Sequence, residues 1–551
     1  MKDWVKSGAP WIWLTAGAIA LSVVMVVAVL FLTAARGLVH FWPKAVVETT
    51  FQEPGGQRVR LLGEVRNREE VSVQRLRESG VDLRTSEVFV HRTLFKLGNR
   101  DILGADFRWF PDPLLGEFSQ PRDVVVVERR EWGNFYGLLR SVKEGDRVAA
   151  SGEAAWPELQ QRTKRAIELH NRIYRMERNE IGKVNYELEQ SRLRERRLEL
   201  AGRLTDAERQ RMAQDREALT QRFQALQAEI AKLRTEIGRD TLVAEVSDGR
   251  EVEIKLANVA DVYRPNAMGL PAKVGHYAAK LHEFIFDDPR EANTEGGIFP
   301  AIFGTVMMVM LMAVVVTPLG VMAAVYMREY AKQGPLIRTI RISVNNLAGV
   351  PSIVYGVFGL GFFVYFLGGN IDQLFFPEAL PAPTFGSPGI LWASLTLAIL
   401  TLPVVIVSTE EGLSRVPRSI REGSLALGAT KAETLWRTVL PMASPAMMTG
   451  LILAVARAAG EVAPLMLVGV VKLAPTLPID GNFPFVHLER KFMHLGFHIY
   501  DVGFQSPNVE AARPLVYATA LLLVVVIVVL NLTAIYLRNR LREKYRELET
   551  V

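Results

Sequence analysis

IFPAIFGTVMMVMLMAVVVTPLGVMAAVYM, residues 298–327, runs for thirty positions without a charged side chain. A helix rises about 1.5 Å per residue, so about 20 apolar residues cross a hydrocarbon core roughly 30 Å thick. This stretch therefore reads as a membrane span. Five more read the same way, from about Trp11 to Thr33, Val350 to Leu367, Gly389 to Ser408, Ala446 to Val471 and Leu515 to Leu537. Gly356, Gly359 and Gly361 interrupt the third, and Pro403 lies inside the fourth. The first follows Lys2 and Lys6 as a secretory signal would, but its apolar run is too long for a signal core of about 7–15 residues. It reads as a retained anchor, with 1–40 as a cytoplasmic start and first span.

Lys and Arg in the short loops set the expected orientation. Arg328, Lys332, Arg338 and Arg341 follow the second span; Arg415, Arg418, Arg421, Lys431 and Arg437 follow the fourth; Arg538, Arg540, Arg542, Lys544 and Arg546 follow the sixth. The loop between the third and fourth has Asp372 and Glu378 and no basic residue. Six crossings with both termini cytoplasmic put every basic loop inside. The same parity places about 36–295 and about 472–514 outside, with Arg490 and Lys491 in the latter as a mild exception.

Composition agrees with alternating apolar and polar segments: of 551 residues, 49% are hydrophobic and 23% charged. The absence of cysteine excludes disulfides, zinc–thiolate and iron–sulfur sites, and cysteine nucleophiles. A net charge of +6 spread over 65 basic and 59 acidic residues does not mark a nucleic-acid binder.

Within the external segment, 41–153 is β-rich by its β-branched runs, such as Val88–Val90 and Val124–Val127, set between turns such as Pro54-Gly55-Gly56 and Glu144-Gly145-Asp146. Residues 154–240 change to Arg, Glu, Gln, Leu and Ala. Met212, Leu219, Phe223, Leu226, Ile230, Leu233 and Ile237 form an a/d seam, and Thr205 with Glu208 forms a capping box after Gly202. An antiparallel coiled-coil hairpin is expected, acting as a stalk or contact arm. Residues 241–295 are expected to return to β structure, with Thr241–Val246 and Glu251–Leu256 as a β-hairpin.

The sequence has no G-x-x-x-x-G-K-[ST] loop, no H-E-x-x-H and no G-x-S-x-G. A non-catalytic chain without a cofactor of its own is expected. His170, His276, His282, His487, His494 and His498 lie outside the spans and read as solvated.

The loop after the fourth span, 411–443, is more specific. It contains Arg421-Glu422-Gly423-Ser424-Leu425-Ala426-Leu427-Gly428 and closes Val439-Leu440-Pro441. A short amphipathic helix, a glycine turn, a second helix and a proline stop would make a rigid elbow. Spacing and position resemble the coupling loop of ABC importer permeases, with Glu422, Gly428, Leu440 and Pro441 matching. Gly423 and Ser424 stand where that family has two alanines, and Thr438 where it has isoleucine. Asn346–Gly356, Ala456–Leu465, Asn293–Gly297 and Thr317–Gly320 narrow the resemblance to the PstA family of phosphate importer permeases, which usually has threonine where Val462 stands. The likeness covers 293–540 well and 1–40 loosely, and leaves out the external segment.

The resemblance implies an α-helical permease core over 296–540, with a cytoplasmic tail over 541–551. It implies inorganic phosphate as substrate, membrane lipid as surroundings, and the inner membrane of a bacterial cell as the location, with 41–295 in the periplasm. The implied partners are a second permease of PstC type, a PstB-type ATPase dimer that binds ATP and magnesium, and a periplasmic PstS-type phosphate-binding protein. No nucleic acid is implied. Glu422, Gly423, Gly428, Leu440 and Pro441 would form the ATPase coupling site.

Arg457 and Glu461, four apart in the fifth apolar run, are expected to share a helix face near the middle of that span. Each charge at such depth costs about 2.5–3.5 kcal/mol, which favours a partner or a wet pathway. Arg457 would offset a passing phosphate, Glu461 would keep the empty arginine paired, and a helix start at Ser352 would add backbone N–H groups; the alternatives are a self-neutralising pair that only packs the bundle and a simple helix break at Ser352. Two other readings stay open: a permease for another oxyanion such as molybdate or sulfate, and a membrane sensor signalling through the coiled coil.

Overall fold

The computed structural model describes residues 7–546 except 54–55, 79, 82, 84 and 507–508. Lys2, Lys6, the Pro54-Gly55 turn and the last five residues of the tail lie outside the described residues. The chain divides into two compact units, one comprising 41–291 with 295–297, the other 1–40, 292–294 and 298–551. Among the described residues, six helices are long and apolar enough to cross a membrane: Trp11–Phe41, Phe299–Tyr330, Ser352–Phe375, Ile390–Arg415, Lys431–Gly460 and Ala512–Arg540. The first of them is built on helix α1 (Ala9–Leu38).

The unit built on 41–291 contains two antiparallel sheets. Strands β1 (Val46–Gln52), β2 (Arg58–Ser72), β3 (Phe89–Lys96) and β4 (Phe107–Pro111) form a meander. The second sheet holds β5 (Val124–Arg129), β6 (Asn134–Glu144), β7 (Arg147–Ser151), β8 (Asp240–Glu245), β9 (Glu251–Lys255) and β10 (Val259–Tyr263). Its order is β10-β5-β6-β8-β9, with β7 paired to β6. All four valines of Val124–Val127 are fully buried, because both faces of β5 are covered. Val125 and Val127 belong to a core with Ala155 and Leu159; Val124 and Val126 join Val46, Leu62 and Tyr136.

Between β7 and β8 the chain forms two long helical arms. The first is α2 (Ala155–Arg175), a wide turn over Met176–Ile181, and α3 (Gly182–Leu200). The second is α4 (Asp206–Ile237), started by reciprocal hydrogen bonds between Thr205 and Glu208. Met212, Leu226, Ile230, Leu233 and Ile237 are buried, and Leu219 and Phe223 pack beside them. Ion pairs Arg172–Glu229 at 2.6 Å and Arg216–Glu195 at 2.8 Å cross between the arms. β8 and β9 pair as expected. Residues 241–295 are not β throughout, however: Leu270–Phe286 is a helix, α5. Pro271 sits in its first turn, where a missing N–H leaves no bond unmade.

In the second unit, helix crossings rely on small residues, as expected where lipid leaves no hydrophobic drive between helices. Helix α6 (Phe299–Val325) is followed by a short α7 (Pro335–Leu347) and then by α8 (Ser352–Phe358), which continues through a wide-turn helix over Gly359–Gly368. Helix α9 (Ile390–Arg415) meets α6 where Gly320 faces Val405. Asp372, expected as a loop charge, is buried and accepts from the backbone N–H groups of Phe385 (2.8 Å) and Gly386 (2.7 Å). The elbow and fifth span contain α10 (Arg418–Ala426) and α11 (Leu440–Gly460); then come α12 (Leu465–Val468), α13 (Leu495–Tyr500) and the last helix, α14 (Val509–Arg546). α1 crosses α14 at Gly37, where a Cβ would lie 2.9 Å from the Ala518 backbone, and Arg36 donates to the Tyr517 hydroxyl at 3.0 Å.

Candidate functional site

The fifth span ends earlier than its apolar run. α11 stops at Gly460, Glu461 is extended, and the short α12 follows. The cause is Pro464: its ring would clash with the Gly460 carbonyl one turn back, and it disfavours helix at Ala463. Arg457 and Glu461 therefore do not sit in the middle of a continuous helix, as their place in the apolar run implies; they bracket its C-terminal end. They remain paired, Arg457 Nε to Glu461 Oε1 at 3.5 Å, with side chains 34% and 21% exposed.

This break is wedged against the third span. A Cβ on Gly356 would lie 2.7 Å from Pro464 Cα, so glycine is what lets α8 approach this closely. Tyr355, next to it, donates its hydroxyl to the Leu347 carbonyl at 2.6 Å. Ser352 is half-buried at the start of the same seven-residue helix. The Ser352 turn and the Arg457–Glu461 break are thus linked through the Gly356–Pro464 contact. Val462 packs on Gly496 of α13, with a methyl carbon 2.6 Å from where a Cβ would be. Its place here is one of apolar packing.

A cleft of about 430 Å³ opens between α7, α9 and α11, with Asn345, Pro403, Ser408, Glu411, Arg415 and Thr449 among its lining residues. Beside it Arg341 pairs with Glu410. Sequence alone gives these groups no prominence, because the fourth apolar run ends at Ser408. Glu410-Glu411, still on α9, are the signal that marks them.

The elbow forms as α10, a turn at Gly428 with φ of 88°, and a second helix starting at Lys431. Thr430 and Glu433 make a capping box that fixes this second start. Pro441 is not the expected stop: Lys431–Gly460 is one continuous helix. A wide turn over Leu435–Val439 precedes the proline, the kind of local widening that lets a helix run past a missing N–H. Leu440 and Pro441 therefore belong to the fifth span. Arg421 ties the elbow to Glu329 at 3.0 Å and donates to the Leu413 carbonyl at 2.6 Å; Lys431 donates to the Glu329 carbonyl. Glu422 and Gly423 are exposed, and Leu427 and Trp436 are left 91% and 73% exposed. Two large apolar side chains are thus held outward on a braced elbow.

Three histidines expected in solvent are buried. His487 is held by Asp480 (3.0 Å) and Glu489 (3.1 Å). His494 caps the short α13 and His498 lies on it; this helix packs on α6 and α14, where Leu495 N donates to Thr305 and His498 faces Thr519. Loop position does not predict exposure here, because the chain between spans five and six folds back into the bundle. Burial lowers the His494 pKa to about 3. Burial, with Lys472 adding and the Asn293 backbone opposing, lowers that of His498 to about 4. Both folded values lie below the unfolded value near 6.5, so stability is lost as pH falls below it. At pH 5 each histidine costs about 2 kcal/mol. We expect thermal stability to fall from pH 7 to pH 5, and less steeply in His498→Gln. An equal slope in that variant would remove His498 from the account.

Residues 316–543 match the family described as binding-protein-dependent transport system inner membrane component. The chain is 39% identical over 188 residues to the phosphate transport system permease protein PstA of Mycobacterium leprae, covering 34% of this chain and 56% of that one, little more than half its length. It is 36% identical over 245 residues to PstA 1 of Mycobacterium tuberculosis, covering 44% and 71%. A probable PstA of Methanocaldococcus jannaschii is 31% identical over 221 residues, covering 39% and 67%. Among solved structures, an inward-facing methionine ABC transporter chain aligns at 18% identity over 44% of this chain and 94% of its own, with a TM-score of 0.32.

Proposed function

Because this chain belongs to the PstA family of phosphate transport permeases, we propose that it forms one transmembrane half of an ATP-driven inorganic phosphate importer. The other half is a PstC-type permease, phosphate is delivered by a PstS-type periplasmic protein, and a PstB-type ATPase dimer binds ATP and magnesium. This chain catalyses nothing itself. Both termini and the elbow face the cytoplasm, and the 41–295 segment faces the periplasm.

The observation that best supports coupling is the elbow, braced beneath by Arg421 and Lys431 and exposed above at Leu427 and Trp436. A rigid turn transmits an ATPase's closing stroke to the helix behind it, and that helix ends just past Arg457. Movement at the elbow therefore reaches the charged pair. Arg457 offsets the phosphate charge, and Glu461 competes for the arginine so that the anion leaves again. The two helical arms act as a coiled coil, a docking or regulatory stalk that the transport cycle itself does not need.

The test is reconstitution of the permease pair, ATPase and binding protein in vesicles. We expect ATP-driven phosphate uptake that disappears when this chain is omitted. Uptake of molybdate or sulfate in preference to phosphate would overturn the substrate, and failure of the ATPase to co-purify would overturn the coupling role.

A further inference from the structure

Helix α5 is turned inside out for a surface in water. Two of its three charged residues face its own unit: Lys280 Nζ contacts Glu128 at 2.7 Å, Asp261 at 2.9 Å and Glu283 at 2.9 Å, and Glu283 also holds Arg290 at 2.6 Å, while the third, Lys273, is half-buried. The outward positions include Leu270, Val274, Ala278, Ala279, His282 and Phe286, and no exposed position of the helix is Asp, Glu, Lys or Arg. Leu270, Val274 and Phe286 are 69%, 51% and 57% exposed. A helix in water places its apolar stripe on the core and its charges outside. Here the ion pairs secure the helix from beneath and leave the apolar stripe outermost.

What covers the stripe follows from where the helix is pinned. Phe41, the last residue of the first membrane span, packs its ring on Phe284 (centroids 5.0 Å apart) and Tyr277 (6.4 Å), and Trp42 lies beside Tyr277 at 6.0 Å. The end of a span lies at the bilayer surface, and Trp and Tyr gather at that level because each ring has an apolar body and a polar edge. Phe286, at the far end of α5, is followed closely in the chain by Phe299, where the second span begins.

We propose that α5 is an interfacial helix: its outward face, centred on Val274 and Ala278, lies in the headgroup–acyl boundary of the bilayer and seats the 41–291 unit on lipid. The partner is the membrane itself, on the side where this unit stands. Small residues at Gly275, Ala278 and Ala279 keep the face flat, and Leu270 and Phe286 reach into lipid at its two ends. An interfacial helix of this kind buries its apolar face roughly 5–10 Å deep.

The chain has no cysteine, so a single introduced one reports on one place. Val274→Cys and Ala278→Cys are labelled with an environment-sensitive fluorophore, in the full chain in phosphatidylcholine–phosphatidylglycerol nanodiscs. They are compared with Val88→Cys, a position 71% exposed on the β-rich part of the same unit. We expect the α5 labels to be quenched by lipids brominated near the headgroup, and to be about threefold less reachable by aqueous iodide than the Val88 label. Equal iodide access at all three positions would overturn the proposal. Shielding from iodide without quenching by the brominated lipid would overturn it too, since the face would then be covered by protein.

Discussion

Arg457→Gln is expected to abolish phosphate uptake and lower the thermal stability of the purified complex, because it leaves Glu461 partly buried without its 3.5 Å partner. Removing one member of a fully buried pair costs about 3–5 kcal/mol, more than removing both; this half-buried pair should lose less. Arg457→Gln with Glu461→Gln should therefore recover stability. It should not recover uptake, since the pair no longer supplies a cation to offset the desolvation of the anion. If the pair only packs the bundle, stability and uptake return together in the double variant. Uptake measured beside melting temperature separates the two, and recovered transport would end the pathway role. The place of the pair at a helix end favours exchange of partners. Backbone beyond Gly460 is not committed to that helix, so the carboxylate can swing away from Arg457 without breaking a ladder of hydrogen bonds.

Gly428→Pro should reduce uptake to background while the protein still inserts in the membrane. Gly428 holds φ at 88°, and proline locks φ at about −65°, so the turn between α10 and the Lys431 helix cannot form as it stands. Leu427 and Trp436 would then present the wrong surface, and the ATPase should no longer co-purify. Gly423→Ala is the control. A Cβ at Gly423 meets nothing within 4 Å, and alanine in a helix is favoured over glycine by about 1 kcal/mol. That variant should transport normally and melt no lower. Normal transport by Gly428→Pro would remove the elbow's geometry from the mechanism.

The spans are legible in the sequence because crossing lipid demands only length and apolar composition, both local properties. The break at Gly460 is not, because the apolar run continues to Val471 and the fault lies in Pro464, four residues beyond the helix end. The elbow's turn can be read from Gly428, but Pro441 misleads, since a wide turn at Leu435–Val439 lets the helix continue. The histidines mislead for a different reason: burial of His494 and His498 depends on α13 packing on α6 and α14, a long-range event without a local signature. α5 escapes a reading that follows the strands before it, although Gly269-Leu270-Pro271 offers a helix start.

The crossing of the first and last spans also has a consequence in time. Arg36 and Tyr517 are separated by 481 residues, and the first span's apolar window holds no residue buried inside the protein. At about 5–20 residues per second of synthesis, the first span waits on the order of a minute before Ala518 exists to receive Gly37. During the first part of that wait, before Phe299 is made, it is the one span yet synthesised, and the 41–291 unit behind it is complete and can fold before the last span follows. The unit thus matures before the bundle that will hold it is complete. A ribosome stalled before Leu515 should yield a chain whose β-rich unit resists protease while its six-span assembly has yet to close.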